Sequence, residues 1–175
     1  MNKLFENIKY FFSIKNTVTE EKLGRILKEK SLTVSTAESC TGGLVASRIT
    51  DVSGSSDYFR EGYVTYANEI KHRILGVTNE TLQNYGAVSS ECAFEMAQGL
   101  MRRTECDVAI CTTGIAGPSG GTTLKPVGLI FVAVKYHDKL VIREFSLNPT
   151  LGRRIMKYKF SELALKTAIE ILEEE

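Results

Sequence analysis

The sequence has 175 residues, of which 43% are hydrophobic and 25% charged, with 22 basic and 21 acidic residues and a formal net charge of +1. These values are ordinary for one globular domain of roughly 100–200 residues, and they exclude a disordered, a collagen-like or a multispanning membrane chain. The near-neutral charge removes the footprint of a general nucleic-acid binder, so we expect no nucleic-acid partner. A local basic pocket for a small anion remains compatible with this charge.

The sequence carries no signal for membrane insertion, secretion or a metal centre. No run of about 18 apolar residues exists, and the N-terminus, with Glu6 and no small-residue cleavage site, is a poor secretory signal. The four cysteines form no C-x-x-C pair, and the two histidines, His72 and His137, are far apart in sequence. We therefore expect reduced thiols, a cytoplasmic location, no metal and no stable membrane association.

Residues 1–16 are predicted to form a helical extension. Leu4, Ile8, Phe11 and Phe12 repeat at i, i+4, i+7 and i+8, which is the spacing of one apolar face of a short amphipathic helix. We expect this face to pack on the rest of the chain or on a second subunit. A membrane-surface role is the less favoured alternative, because one short helix with few charges binds lipid weakly.

The remaining residues, 17–175, indicate one domain of alternating helices and strands. Capping residues and a 3.6-residue apolar period predict helices, whereas apolar runs bounded by turn residues predict strands. The predicted helices cover residues 17–30, 44–51, 68–75, 79–84 and 89–104 and a C-terminal segment that includes Met156 to Ile171; the predicted strands cover residues 31–36, 59–67, 106–113, 127–136 and 140–145. This order predicts an α/β fold, a three-layer α/β/α sandwich with a mixed central sheet, in a single domain.

The first of four polar stretches, Glu38-Ser39-Cys40-Thr41-Gly42-Gly43, lies at a predicted strand-to-helix turn. Ligands of open α/β sheets collect at the carboxyl ends of strands, and a helix N-terminus there offers unpaired N–H groups to an anion or an oxyanion. Gly42 and Gly43 let a substrate approach the backbone closely. Ser39 is then placed for a nucleophile or a phosphate ligand, although such residues also serve as simple helix caps.

A lysine in an unusual place marks the stretch Tyr66-Ala67-Asn68-Glu69-Ile70-Lys71. Lys71 lies within one turn of the start of the helix that is predicted to begin near Asn68. The helix dipole disfavours a cation there, which would lower the pKa of Lys71 and suit it to act as a base. A solvated surface lysine is the alternative.

Two further stretches combine turns with glycine. Gly54-Ser55-Ser56-Asp57 leads into a strand and is typical of a turn. The stretch from Thr112 to Pro118, TTGIAGP, follows the most apolar strand, and its backbone N–H groups could hold an anion. It matches neither the P-loop nor the G-x-G-x-x-G pattern, which removes the usual support for ATP hydrolysis and dinucleotide binding. Arg153 and Arg154, near the start of the last helix, could supply a phosphate partner.

Together these stretches resemble the CinA family, in its C-terminal domain of the nicotinamide-nucleotide amidase (PncC) type. The resemblance covers about residues 20–172 and rests on ordered motifs at residues 37–43, 54–56, 66–71, 86–89, 113–118 and 125–128. It implies a three-layer α/β/α fold, a homodimer or higher homo-oligomer, and a metal-independent amidohydrolase of linear amides without a cofactor. The implied reaction hydrolyses the carboxamide of nicotinamide mononucleotide (NMN) to nicotinate mononucleotide and ammonia, within pyridine nucleotide (NAD) recycling.

The resemblance also implies roles for individual residues. The catalytic group consists of Ser39, Ser56, Tyr66 and Lys71. Substrate binding is expected from Thr41, Gly42, Gly43, Asn68, Thr113, Gly114, Gly117 and Arg153. The chain departs from the family pattern around Arg153, where LGRR at residues 151–154 replaces a more usual Gly-x-Arg, and Lys157 replaces the next arginine. Whether Arg153 or Lys157 holds the phosphate is therefore open.

A serine–lysine mechanism is the resulting hypothesis, because neither histidine fits an acid–base role. Neutral Lys71 would take the proton of a serine hydroxyl, and the serine oxygen would attack the carboxamide carbon. Backbone N–H groups near Gly42 and Gly43 would hold the oxyanion. Lys71 or Tyr66 would protonate the leaving ammonia.

The nucleophile and the activity both have alternatives. Ser56, expected beside Lys71 across the pocket, is preferred for the attack, with Ser39 orienting the carboxamide or relaying a proton. Cys40 is a third candidate, and direct attack by water is also open. A different class of function is a nucleotide-binding or regulatory module without turnover, linked to competence or DNA damage. The intact catalytic group argues against that module, and the departure at Lys157 argues for it.

Overall fold

A computed structural model describes residues 18–174. Within this part of the chain, six α-helices, five strands and one short 3-10 helix follow the predicted order. The helices are α1 (Val18–Glu29), α2 (Leu44–Thr50), α3 (Asn68–Leu75), α4 (Asn79–Asn84), α5 (Ser90–Thr104) and α6 (Arg153–Glu173). The strands are β1 (Val34–Glu38), β2 (Phe59–Val64), β3 (Val108–Gly114), β4 (Leu129–Tyr136) and β5 (Lys139–Ser146), and the 3-10 helix covers Ser55–Asp57.

The five strands form one mixed sheet in the order β2-β1-β3-β4-β5. β2, β1 and β3 are parallel, and β4 and β5 add antiparallel strands. Glu38, the last residue of β1, is opposite Val64 of β2 and Thr112 of β3. The carboxyl ends of three parallel strands therefore meet at one edge of the sheet, where open α/β sheets bind their ligands.

The first strand starts three residues later than predicted. Ser31 has a positive φ of 55°, and the N–H of Leu32 donates back to the carbonyl of Leu27. A left-handed residue of this kind closes the last turn of a helix, and the apolar pattern of the sequence does not show it. The strand consequently runs to Glu38, and Ser39 follows it directly.

Helices cover both faces of the sheet, because successive residues of a strand point to opposite sides. One face packs against α1, α2 and α6 through a core that includes Val34, Ile110, Val132, Leu27 and Phe160. The other face packs against α3 and α5 through a core that includes Ala37, Cys111, Ala133, Leu75 and Met96. The predicted α/β fold, a three-layer sandwich with a mixed sheet in a single domain, is confirmed.

A buried ion network holds the α1, α2 and α6 layer together. Arg48 of α2 is 3% exposed, and its guanidinium donates to the carboxylates of Glu20 in α1 and Glu162 in α6. It also donates to the Ser161 hydroxyl at 2.9 Å and lies over the ring of Tyr158. Burial alone would lower the pKa of Arg48, but the two carboxylates outweigh burial and raise that pKa.

Residues 1–17 and 175 lie outside the described residues, and with them the predicted helix at residues 1–16 and its packing. None of the described helices is both long and apolar enough to cross a bilayer. The boundary between extension and domain, the oligomeric state and the cytoplasmic location stay predictions.

Candidate active site

A cleft of about 260 Å³ opens at the carboxyl edge of the parallel strands. Its walls come from the loops after β1 and β2, the start of α3, the end of β3 with the turn that follows it, the turn before α5 and the first residue of α6. The residues that line it include no aspartate or glutamate, so the cleft suits a neutral or anionic ligand. Eight of the residues singled out in the sequence line this cleft: Ser39, Tyr66, Asn68, Lys71, Thr113, Gly114, Gly117 and Arg153.

Ser39 is held by the end of the buried strand β1. Its N–H donates to the carbonyl of Thr112 in β3 at 3.0 Å. Its half-buried side chain faces Lys71, with the serine Oγ 3.1 Å from the lysine Nζ. The sheet thus fixes the serine backbone, while the hydroxyl is directed to the cleft.

Lys71, the fourth residue of α3, is a buried lysine rather than a solvated one. It is 1% exposed, and besides Ser39 its Nζ contacts the carbonyl oxygens of Thr65 at 2.8 Å and Tyr66 at 3.3 Å. Burial lowers the pKa of Lys71, because the ammonium loses its hydration and these three partners are neutral oxygens. The direction agrees with the prediction, but the main cause is burial rather than the helix dipole.

The contacts of Lys71 suit a neutral amine that accepts a proton. A neutral lysine has two N–H bonds and one lone pair, in place of the three N–H bonds of the ammonium. The carbonyls of Thr65 and Tyr66 can take the two N–H bonds, which leaves the lone pair for the Ser39 hydroxyl. In that protonation state the serine O–H donates to Lys71 and is activated as a nucleophile.

Tyr66 and Arg153 meet at the exposed side of the cleft. Arg153 Nη2 donates to the Tyr66 hydroxyl at 3.1 Å, and Nη1 donates to the carbonyl of Gly117 at 2.6 Å. Both side chains are exposed, so they offer a phenol and a guanidinium to an incoming ligand. Lys157, one helical turn further along α6, lies instead beside Gly42, with its Nζ 3.1 Å from a Cβ placed there.

The turn after β3 forms a glycine-rich wall of the cleft. Thr113 Oγ1 donates to the carbonyl of Ala87 at 2.5 Å, which ties this turn to the loop before α5. At Gly114, an added Cβ would come within 2.5 Å of the carbonyl oxygen of Leu129, so only glycine fits at this position. Asn68, the first residue of α3, also lines the cleft.

Two backbone N–H groups in the first turn of α2 are already occupied by a side chain, while the oxyanion site predicted near Gly42 and Gly43 stays a prediction. Glu38 is 1% exposed, and its carboxylate accepts the N–H of Val45 at 3.0 Å and that of Ala46 at 2.8 Å. The residue at the cap position, Gly43, has no side chain to do this, so Glu38 caps the helix from the end of β1. These amides are therefore not available to a substrate.

Three of the predicted substrate-binding residues are not in the wall of the cleft. Thr41 is fully buried, and its hydroxyl is 2.7 Å from that of Thr112. Gly42 and Gly43 have positive φ values of 61° and 89°. The geometry gives these residues a part in shaping the loop that carries Ser39, and their direct contact with substrate stays a prediction.

Ser56 is not beside Lys71 within one chain, and its catalytic role stays a prediction. Ser56 is exposed and lies in the 3-10 helix before β2, whereas Lys71 follows β2. The six residues of β2 separate these two ends by about 20 Å, at about 3.3 Å per residue. Ser39 is the serine that the fold brings to Lys71.

Cys40 lines the cleft next to Ser39 but is a poor nucleophile. It is 5% exposed, and burial raises its pKa to about 12. A thiol with such a pKa is protonated at neutral pH, and the thiolate is the reactive form.

Sequence reasoning missed several residues that line the cleft. They are Ala87 and Val88, which lie in a motif quoted for the family resemblance, and Ser119 and Gly120, which lie just beyond the stretch TTGIAGP. Small and apolar residues give no chemical signal, and only the sheet order brings residues 87–88 against the turn after β3. Glu38 was also missed as a helix cap, because its spacing from α2 fits no local capping box.

Comparison with known proteins identifies the family. The family model of the CinA C-terminal domain matches residues 16–172. A CinA-like protein of Chloroherpeton thalassium is 48% identical over 165 residues, which cover 93% of this chain and 39% of that protein. A CinA-like protein of Chlorobium limicola is 44% identical over 169 residues, which cover 95% and 39%. The chain thus spans about two fifths of the length of these relatives.

Solved structures share the same fold. The competence/damage inducible protein CihA of Agrobacterium tumefaciens is 41% identical, with a TM-score of 0.83 over 89% of this chain and 95% of that chain. A CinA superfamily protein of Klebsiella pneumoniae is 28% identical, with a TM-score of 0.86 over 91% and 98%. The family model matches nearly the whole sequence, and the relatives and solved structures agree with it. The chain therefore belongs to the CinA family, through its C-terminal domain.

Proposed function

We propose that this chain is an NMN amidohydrolase that releases ammonia and nicotinate mononucleotide by a serine–lysine mechanism. The observation that carries the proposal is the 3.1 Å contact between Ser39 Oγ and the buried Nζ of Lys71. Hydrolysis of an unactivated amide needs a nucleophile next to a base of lowered pKa, and this pair meets that need. The resemblance of the motifs to the nicotinamide-nucleotide amidases supports the choice of substrate.

In the first half of the reaction, Lys71 takes the proton from Ser39 as Oγ bonds to the carboxamide carbon. The carbonyl oxygen becomes an oxyanion, for which we assign the backbone N–H groups of Ala116 and Gly117, because these two residues line the cleft whereas Gly42 and Gly43 do not, and Glu38 takes the N–H groups of Val45 and Ala46. The C–N bond then breaks, and ammonia leaves with the proton that Lys71 holds. Nicotinate mononucleotide is left as an ester on Ser39.

In the second half, water replaces ammonia at the same carbon. Neutral Lys71 takes a proton from the water, and the water oxygen attacks the ester carbon. The bond to Ser39 Oγ breaks, and Lys71 returns the proton to that oxygen. The sum is one amide and one water in, and one carboxylic acid and one ammonia out.

The charges around the cleft support an anionic substrate. Arg153 lines the cleft and is exposed, and the lining residues include no carboxylate. We assign the nucleotide phosphate to Arg153, because a guanidinium presents several N–H groups to phosphate oxygens at once. Lys157 lies one turn further on, beside Gly42, and would add a second cation.

The deciding measurement is ammonia release from NMN by the purified chain, with nicotinamide and NAD as comparison substrates. We expect turnover of NMN, and a loss of about a thousandfold or more in kcat for Ser39→Ala, because the nucleophile is removed. Ser47→Ala is the matched control, since Ser47 is exposed on α2 and does not line the cleft. Acid quenching during turnover should trap the nicotinoyl ester on the Ser39 peptide, and an ester on Ser56 would contradict the assignment.

One observation favours a second candidate, a nucleotide-binding module without turnover. Lys157 stands where the family pattern has an arginine, which weakens the match at the proposed phosphate contact. Calorimetric titration with NMN separates the two candidates. Saturable binding without any ammonia release would support the module and overturn the amidase.

A further inference from the structure

We propose that Glu38 is a positioning residue for the Ser39–Lys71 pair, whose carboxylate closes the loop of residues 39–43 and so sets the distance between serine and lysine. The proposal rests on the proposed function, in that it concerns the nucleophile of that reaction. Its structural basis does not involve the substrate.

The carboxylate of Glu38 bridges the two ends of the loop. Glu38 is the last residue of β1, and its oxygens accept the N–H groups of Val45 and Ala46, the second and third residues of α2. The loop between these points carries Ser39 as its first residue. A bond from the carboxylate to each amide prevents α2 from shifting along or rotating about its axis relative to β1, and such shifts would carry the serine away from its partner.

The backbone of Glu38 also connects this loop to the residue that holds the base. Its carbonyl accepts the N–H of Thr65 at 2.8 Å, and the carbonyl of Thr65 accepts Lys71 Nζ at 2.8 Å. One short chain of hydrogen bonds therefore links the serine loop to the amine. A displacement of residue 38 would change the position of both members of the pair.

A carboxylate suits this position better than its neutral isostere. Burial of a charge at 1% exposure is costly unless the charge is bound, and here two amides and the dipole of α2 compensate it. Glutamine in the same place would keep one acceptor oxygen and turn its NH₂ group towards the other backbone N–H. The substitution Glu38→Gln therefore removes one of the two bonds with little change in volume.

Glu20 offers a matched control. It is a second buried glutamate, 6% exposed, but it binds Arg48 within the helical layer and does not line the cleft. Glu20→Gln should cost stability in the same way as Glu38→Gln without touching the serine loop. A loss of Ser39 reactivity that occurs in Glu38→Gln but not in Glu20→Gln then shows that Glu38 positions the serine.

The test measures how fast a fluorophosphonate labels Ser39, across a range of pH, in the full chain. This readout needs an activated serine and no NMN, so it stays informative if the proposed substrate is wrong. We expect Glu38→Gln to lower the labelling rate on the high-pH plateau by about tenfold to a hundredfold, because misplacement of a reacting group by about 1 Å has an effect of that order. The pH midpoint should not move, and where NMN is turned over, kcat should fall by the same factor with KM unchanged.

Several outcomes would overturn the proposal. The first is a plateau labelling rate for Glu38→Gln within twofold of wild type, and the second is a loss of labelling rate equal to that of Glu20→Gln at the same folded fraction by circular dichroism. The third is a loss of labelling rate that a shift of the pH midpoint explains entirely. The fourth is the absence of label on Ser39 in the wild-type chain. If Glu38→Gln does not fold, Ala46→Pro removes one of the two donors in the first turn of α2, where the lost N–H has no partner within the helix. It should lower the plateau rate in the same direction, and an unchanged rate would contradict the proposal. Labelling of wild type without ammonia release from NMN would refute only the proposed substrate.

Discussion

Two buried cations, Arg48 and Lys71, show how one fold can treat a positive charge in opposite ways. Arg48 is 3% exposed and lies between two carboxylates, which raise its pKa in spite of burial. Lys71 is 1% exposed and contacts neutral oxygens, so burial lowers its pKa. A buried charge with counter-charges joins structural elements, whereas a buried amine without them has a lowered pKa and can act as a base.

The positions of the two residues in the fold explain the difference. Arg48 lies on α2 in the layer between α1 and α6, and each of those helices supplies a glutamate. Lys71 extends from α3 to the carboxyl end of β2, where the groups within reach are main-chain carbonyls and a serine. Only the second environment borders the cleft.

The largest expected effect is that of Lys71→Met on turnover. Without the base, we expect kcat for ammonia release from NMN to fall by about 10²–10⁴-fold. The melting temperature should stay equal or rise, because an unpaired buried amine is replaced by an apolar chain of similar length. Lys22→Met, at a partly exposed lysine paired with Glu173, is the control for loss of a lysine. If Lys71→Met kept more than half of the wild-type turnover, the role of Lys71 as the general base would be refuted.

Arg48→Met should have the opposite profile, with a large loss of stability. Removal of the guanidinium leaves the buried carboxylate of Glu20 without its cation and leaves Glu162 with the exposed Lys166 alone. Breaking a buried pair in this way costs about 3–5 kcal/mol. Urea denaturation measures the free energy of unfolding. The kcat per folded molecule should equal that of wild type. A loss of kcat per folded molecule would contradict a purely structural role for Arg48.

A third cation, Arg153, sharpens the comparison because it is exposed at the cleft. Loss of a charged hydrogen bond to the phosphate should raise KM for NMN about tenfold to a hundredfold in Arg153→Met, with a smaller rise in Lys157→Met. Nicotinamide riboside, which lacks the phosphate, provides the control ligand, and its KM should be insensitive to both changes. A larger rise in KM for Lys157→Met than for Arg153→Met would show that Lys157 makes the main contact with the phosphate.

The smallest expected effect is the pH dependence that Lys71 adds. Turnover requires the neutral amine, so kcat/KM should rise with pH through a pKa below the ordinary 10.5 and then level off. Between the lowered pKa of folded Lys71 and about 10.5, Lys71 is protonated in the unfolded chain and neutral in the folded chain. The free energy of unfolding should therefore rise with pH up to about 10.5. The difference between wild type and Lys71→Met in urea denaturation isolates this contribution, and a difference that is flat with pH would contradict the lowered pKa.

Local patterns predicted the fold well because they report on local structure. The apolar runs at residues 106–113 and 127–136 correspond to β3 and β4, in the interior of the sheet, and the helix predicted at residues 89–104 and the start of the last helix near Arg153 agree with α5 and α6. The start of β1 was wrong because Ser31 closes the turn after α1 in a left-handed conformation, which is uncommon for serine and which the local sequence does not mark. The sequence motifs also indicated the CinA family, which the comparisons then showed.

The sequence by itself determined which chemical groups are present: serines, one lysine at a helix start, a glycine-rich turn and an arginine, in an α/β chain. Only the tertiary structure decided which of them meet. The parallel order β2-β1-β3 places Ser39 next to Lys71, 32 positions away, and places Ser56 at the opposite end of β2. The same packing buries Lys71, and it pairs the N–H groups of the second and third residues of α2 with Glu38. Periodicity acts over a few residues, whereas these contacts depend on which strands are neighbours and which of their ends coincide.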